Sequence, residues 1–218
     1  MFGIMKRNIL FFVRYIGLLY PLMVLYWFLR RDVFDLPALL TTGFFFYLLI
    51  SGAVNIQESY ESKNNAYHFF KTLPLNAGEI VKAKFYNVLI AGVILLTTNS
   101  VIYSIIIQGK EMQIFSYIFI LCCAVLTLNI IAVFYIGFFS VGFNKMVVLL
   151  WVSLILWLVL TILSVELYLI KLDANMVYTL FSSINPLVWI VVTIAGLAAY
   201  YGLMLIAIRK LEQNYNNV

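Results

Sequence analysis

A single histidine, His68, lies in a stretch that also holds Glu58, Glu61, Lys63, Lys71, Glu79, Lys82 and Lys84, the densest group of ionisable side chains in these 218 residues. One imidazole cannot make a paired-histidine metal site, and His68-Phe69 does not open a His-Glu-x-x-His helix. Neither a Gly-x-Ser-x-Gly nucleophile elbow nor a Gly-rich phosphate loop ending in Lys-Ser/Thr occurs. No catalytic residue and no metal site is expected, and any ATP hydrolysis would belong to another polypeptide. Cys122 and Cys123 are adjacent within an apolar run, where they read as lipid- or core-facing thiols and not as a disulfide.

Other polar groups sit inside apolar stretches. Thr97, Thr98, Asn99, Ser100 and Asn129 are short hydroxyls and amides of the kind that hydrogen-bond helix to helix in a bilayer. A substrate path or an intramembrane enzyme would use the same groups, and both stay open as minor alternatives. Glu166 closes an apolar run. A carboxylate there is a candidate for gating, with an interfacial position at a helix end as the plainer reading.

The elements that must carry these groups follow from composition. Hydrophobic residues make up 65% of the chain and charged residues 11%, against about half and about a quarter in a soluble domain. Uncharged stretches run over 36–57, 85–109, 112–144, 146–165 and 174–208. Each is long enough to cross a hydrocarbon core roughly 30 Å thick. The expectation is an all-α, polytopic, single transmembrane domain over 1–218, with spans near 15–29, 37–54, 85–107, 114–139, 146–165 and 186–208 and a cytoplasmic segment at 55–84. Only fifteen residues separate Arg14 from Arg30, so the first span crosses fully only if both arginines snorkel toward the headgroups. Residues 1–13 read as an amphipathic in-plane helix leading into it, retained rather than cleaved as a signal peptide.

Basic residues set the orientation. With six spans and both termini cytoplasmic, ten lysines and arginines fall inside and only Arg30, Arg31, Lys110 and Lys171 outside. The net charge of +5 thus reflects inside-positive topology in a cell membrane, with no nucleic-acid partner implied. The external connections are short, so a soluble partner would have to touch residues 55–84.

Within that segment Ala66, Phe69, Phe70 and Leu73 recur at i, i+3, i+4 and i+7, which predicts a short helix ending before Pro74 with two phenylalanines on one face. Asn76 followed by Glu79 resembles a capping box, restarting a helix that leads into the third span. A loop helix that merely covers lipid is the bland alternative. Ala195 with Ala199, and Ala198 with Gly202, make two small-xxx-small pairs suited to close helix packing, within the chain or between copies.

This segment resembles the cytoplasmic region of permeases of type-2 ABC exporters. The likeness is carried by an acidic residue after span two (Glu58 or Glu61), Leu73-Pro74, Asn76-Ala77, Glu79-Ile80-Val81 and Lys84-Phe85. The six-span layout and the basic lead-in match as well. Within that class the chain is most similar to small Gram-positive permeases of peptide export or peptide resistance, such as phenol-soluble-modulin exporter permeases. The resemblance implies a coupling helix over residues 66–73 that docks in a cleft of a separate ABC ATPase, with Phe69 and Phe70 as packing anchors and His68 and Lys71 as polar contacts beside Ala66, Tyr67 and Leu73. It implies ATP and Mg bound by that ATPase and no cofactor on this chain. It further implies a second permease copy or paralogue, because six helices that need one another for packing cannot enclose a pathway alone. The substrate expected is an amphipathic peptide or another hydrophobic compound. The alternative from a different class is a non-transporting scaffold or immunity protein that binds a peptide toxin or a signalling partner.

Overall fold

Long runs of leucine, isoleucine, valine and phenylalanine, interrupted by few charges, form helices because lipid offers no hydrogen bonds and an α-helix satisfies its backbone internally. The computed structural model describes residues 2–29, 36–64, 76–106, 113–169 and 186–216. These form α1 (Phe2–Leu29), α2 (Leu36–Lys63), α3 (Ala77–Ile106), α4 (Gln113–Val141), α5 (Phe143–Leu169) and α6 (Pro186–Asn216). All six are long and apolar enough to cross a membrane. At about 1.5 Å per residue each exceeds 40 Å and outruns the hydrocarbon core.

Two boundaries differ from those read off the sequence. The in-plane lead-in and the first span are one continuous helix, Phe2–Leu29, running straight through the exposed Arg14. No proline or turn residue stands at 13–15 to break it, and breaking a helix at membrane depth would strand backbone groups. The helix of span two also runs past the apolar stretch, to Lys63, while that of span three starts at Ala77, as the restart at Asn76 predicts. The polar segment therefore divides, with residues 55–63 and 77–84 belonging to membrane-length helices and residues 65–75 lying outside the described residues.

The helices are not equivalent. α2 packs on α1, α3, α4 and α5, α3 packs on α1, α2, α4 and α6, and α4 packs on α2, α3, α5 and α6, so these three form the centre. In their most apolar stretches α2 and α4 bury 56% and 50% of residues, while α1, α5 and α6 bury 11%, 17% and 17%. The outer three turn leucines, isoleucines and valines such as Leu18, Leu156 and Val191 outward, as lipid-facing helices do.

Close approaches set the spacing. Gly52 of α2 lies under the Tyr15 ring of α1, and Gly196 of α6 faces Val125 of α4. The Tyr47 hydroxyl of α2 donates to the Leu150 carbonyl of α5 at 3.0 Å and bonds Ser153 at 2.5 Å. α4 and α5 are joined by Gly142 alone, at φ +88°. Its N–H donates to the Phe138 carbonyl at 3.0 Å, the left-handed cap that glycine enters without a Cβ penalty.

Candidate functional site: a buried charge cluster near the end of α2 and the start of α3

Glu58 and Glu61 are three residues apart on α2 and so share one helix face. Lys84 stands seven residues into α3. The packing of α2 on α3 brings them together: Lys84 Nζ donates to Glu58 Oε1 in a short contact and to Glu61 Oε2 at 2.8 Å. The carboxylate oxygens take further donors, the Tyr135 hydroxyl of α4 reaching Glu58 Oε1 at 3.2 Å and Gln57 Nε2 reaching Glu61 Oε1 at 3.1 Å. The side chains of Glu58 and Lys84 are 0% exposed and that of Glu61 2%.

Charges taken from water are costly unless opposite charge and hydrogen bonds replace the lost hydration. This cluster supplies both. Lys84 Nζ lies 5.9 Å from the centroid of the Tyr135 ring, whose π face adds cation stabilisation. Aromatic side chains wall the site: the Phe85 ring sits 5.5 Å from Tyr135 and 5.3 Å from Tyr200, and Tyr135 stacks on Phe139 at 5.9 Å. The Tyr200 hydroxyl of α6 donates to the Phe85 carbonyl at 2.8 Å. Four helices, α2, α3, α4 and α6, are thereby pinned to one point next to where α2 ends and α3 begins.

The start of α3 is fixed as well. Glu79 N–H donates to Asn76 Oδ1 at 2.7 Å, and Asn76 N–H donates to Glu79 Oε2 at 3.3 Å. Two helix-end donors are satisfied reciprocally, and Asn76 itself is exposed.

The remaining sequence-predicted site residues fall elsewhere. Ala66, Tyr67, His68, Phe69, Phe70, Lys71, Leu73 and Pro74 lie outside the described residues, as does the side chain of Glu166. Asn129 does bridge helices, its Nδ2 donating to the Gly196 carbonyl at 3.1 Å. Asn99 Oδ1 accepts from the Tyr20 hydroxyl of α1 at 3.5 Å, while Thr97, Thr98 and Ser100 bond back to carbonyls of their own helix. Both cysteines are free. Ala195, Ala198 and Ala199 are exposed and Gly202 faces open space, so the small-residue pairs of α6 do not mediate packing within the chain.

The residues of the sequence resemblance thus acquire a physical role. The acidic residues after span two and the Lys-aromatic pair at the start of span three are the two halves of one buried ion cluster. Residues 2–212 match the family model described as ABC-2 family transporter protein. The chain belongs to the ABC-2 transporter family. No curated protein and no solved structure matches it. ABC-2 permeases are membrane-embedded transport subunits that work with an ABC ATPase. The six membrane-length helices of this ABC-2 protein fit that role.

Proposed function

We propose that this chain is the permease subunit of an ABC exporter, moving an amphipathic peptide or other hydrophobic substrate out of the cell. Residues 66–73 act as the coupling helix, with Phe69 and Phe70 seated in a cleft of the ATPase and His68 and Lys71 as polar contacts. ATP and Mg are bound by that ATPase. A second permease copy or paralogue completes the pathway, and the end of the bundle bearing residues 64 and 76 faces the cytoplasm.

The observation that carries this reading is the ion cluster. It ties α2 and α3 together on either side of residues 65–75 and links both to Tyr135 of α4. A push delivered between α2 and α3 then moves three helices as one body and is not absorbed by splaying two. Rigid packed elements transmit small displacements in this way because they have discrete arrangements and not a continuum. The exposed apolar faces of α1, α5 and α6 leave room for lipid and for a second permease.

The test pairs docking with coupling. The chain is purified with its ABC ATPase from native membranes and reconstituted, and Phe69→Ala/Phe70→Ala is compared with wild type for retention of the ATPase and for substrate-stimulated ATP hydrolysis. Loss of both is expected. A double variant that holds the ATPase and couples as well as wild type removes the coupling-helix assignment. A chain that binds a peptide yet never associates with an ATPase points to the scaffold or immunity role. Cysteines at 64 and 72 should react with a membrane-impermeant maleimide only from the cytoplasmic side.

A further inference from the structure

A groove of about 430 Å³ runs between α1 and α2 at the end of the bundle that holds the ion cluster, with Leu10, Phe11 and Arg14 on one wall and Gln57, Tyr60 and Glu61 on the other. Small-molecule sites fall in the range of about 300–1,000 Å³. The Glu61 carboxylate is turned away from this space, being 2% exposed and bound by Lys84 Nζ and Gln57 Nε2. What the groove presents is Arg14 and Tyr60, both exposed. Among the described residues neither the Arg14 guanidinium nor the Tyr60 hydroxyl has a hydrogen-bond or ion-pair partner. Helical side chains lean toward the helix N-terminus, so Arg14 reaches back along α1 toward the exposed Leu10.

The surroundings have one sign. α1 contains no acidic residue, and the two of α2, Glu58 and Glu61, are buried in the ion cluster. Lys6, one turn before Leu10, and Lys63, one turn past Tyr60, are exposed. Every charge that the described side chains of α1 and α2 turn outward is therefore positive. A cation on a lipid-facing helix is costly without a counter-charge, and a guanidinium meets a phosphate with two parallel hydrogen bonds. A zwitterionic phospholipid brings its own ammonium, which competes for its phosphate and meets Lys6 and Lys63 as a like charge. An anionic phospholipid brings none.

From this we infer that the groove between α1 and α2 is a binding site for an anionic phospholipid, its phosphate held by the Arg14 guanidinium and the Tyr60 hydroxyl and an acyl chain laid against Leu10 and Phe11. The site needs neither ATP nor a partner subunit, so it stands or falls separately from the transport role.

The test places the full chain in nanodiscs of dioleoylphosphatidylcholine with a rising share of dioleoylphosphatidylglycerol and releases it for native mass spectrometry. The readout is the phosphatidylglycerol content at which half the chains retain one such lipid. Wild type should retain phosphatidylglycerol in preference to the phosphatidylcholine around it. Arg14→Gln should raise the half-point about tenfold, as loss of a charge-assisted pair implies, and Arg14→Lys, which keeps the charge and loses the fork, should fall between the two. Tyr60→Phe should raise it about fivefold through the lost hydroxyl. Arg209→Gln, which removes an exposed cation from α6, should leave it unchanged, with the helix content of every variant checked by circular dichroism. Retention by wild type in simple proportion to bilayer composition overturns the inference. An equal shift for Arg209→Gln also overturns it, since net charge and not a site would then be responsible. So does displacement of the retained lipid by an equimolar amphipathic peptide ending in a carboxylate, which would assign the groove to a polypeptide.

Discussion

Lys84 of α3 and Glu58 of α2 form an ion pair at which neither side chain reaches solvent, and the Tyr135 hydroxyl of α4 completes it. Removing one member of such a pair strands the other's charge, which costs far more than the pair contributes as a whole.

Lys84→Met leaves Glu58 and Glu61 facing each other without their cation. A loss of about 3–5 kcal/mol is expected, read as a fall in the thermal midpoint of the purified chain. Replacing all three, as Lys84→Met/Glu58→Gln/Glu61→Gln, should recover most of that loss. If the triple variant regains stability but not ATP-coupled transport, the cluster serves force transmission as well as folding. If the single variant melts like wild type, the burial of the pair is wrong.

Tyr135→Phe keeps the ring under Lys84 and deletes one donor to Glu58. Hydrogen bonds to charged groups are worth about 1.5–3 kcal/mol, so the midpoint should fall by less than for Lys84→Met. An equal or larger fall would mean that the ring, not the hydroxyl, has been disturbed.

Asn76→Ala removes the exposed half of the reciprocal cap at α3. About 1 kcal/mol is expected, and hydrogen exchange should show it as faster amide exchange confined to the first turn after Ala77. Asn76→Asp should preserve wild-type exchange, since aspartate caps equally well.

Gly196→Ala drives a methyl into Val125, whose Cγ1 lies 2.2 Å from the position a Cβ would take. Overpacking of this kind costs about 1–3 kcal/mol, and the Asn129 bond to the Gly196 carbonyl should weaken with it. Adding Val125→Ala should restore most of the thermal midpoint. Gly202→Ala on the same helix meets open space and should leave the midpoint unchanged or slightly raised.

The six helices were legible because lipid imposes one simple condition, a run of apolar residues of spanning length, and the cap at Asn76 was legible because it is a local pattern three residues wide. Glu58, Glu61 and Lys84 were visible as members of a motif, but their burial was not. Charged residues at the edge of an apolar run read as solvent-facing until a partner from another helix is known. Tyr135 is 77 positions from Glu58, and no local signal announces such a contact among 15 tyrosines. The small residues of α6 left their partner open for the same reason: Ala195, Ala199 and Gly202 fit the packing pattern, yet within the chain the intimate contact falls on Gly196, because only the neighbouring helix decides which face is inner. Continuity of α1 through Arg14 was hidden by the charge, which composition reads as a boundary although the backbone there has no reason to turn.

Gly142 has one more effect, on how far α4 and α5 can part. With a single residue between them, the pair has no slack at that end, and the Phe143 ring of α5 is held 6.3 Å from that of Phe138 on α4. The central helix α4 is thereby clamped about two turns from Tyr135. A displacement of that aromatic ledge is passed to α5 with no loop to absorb it.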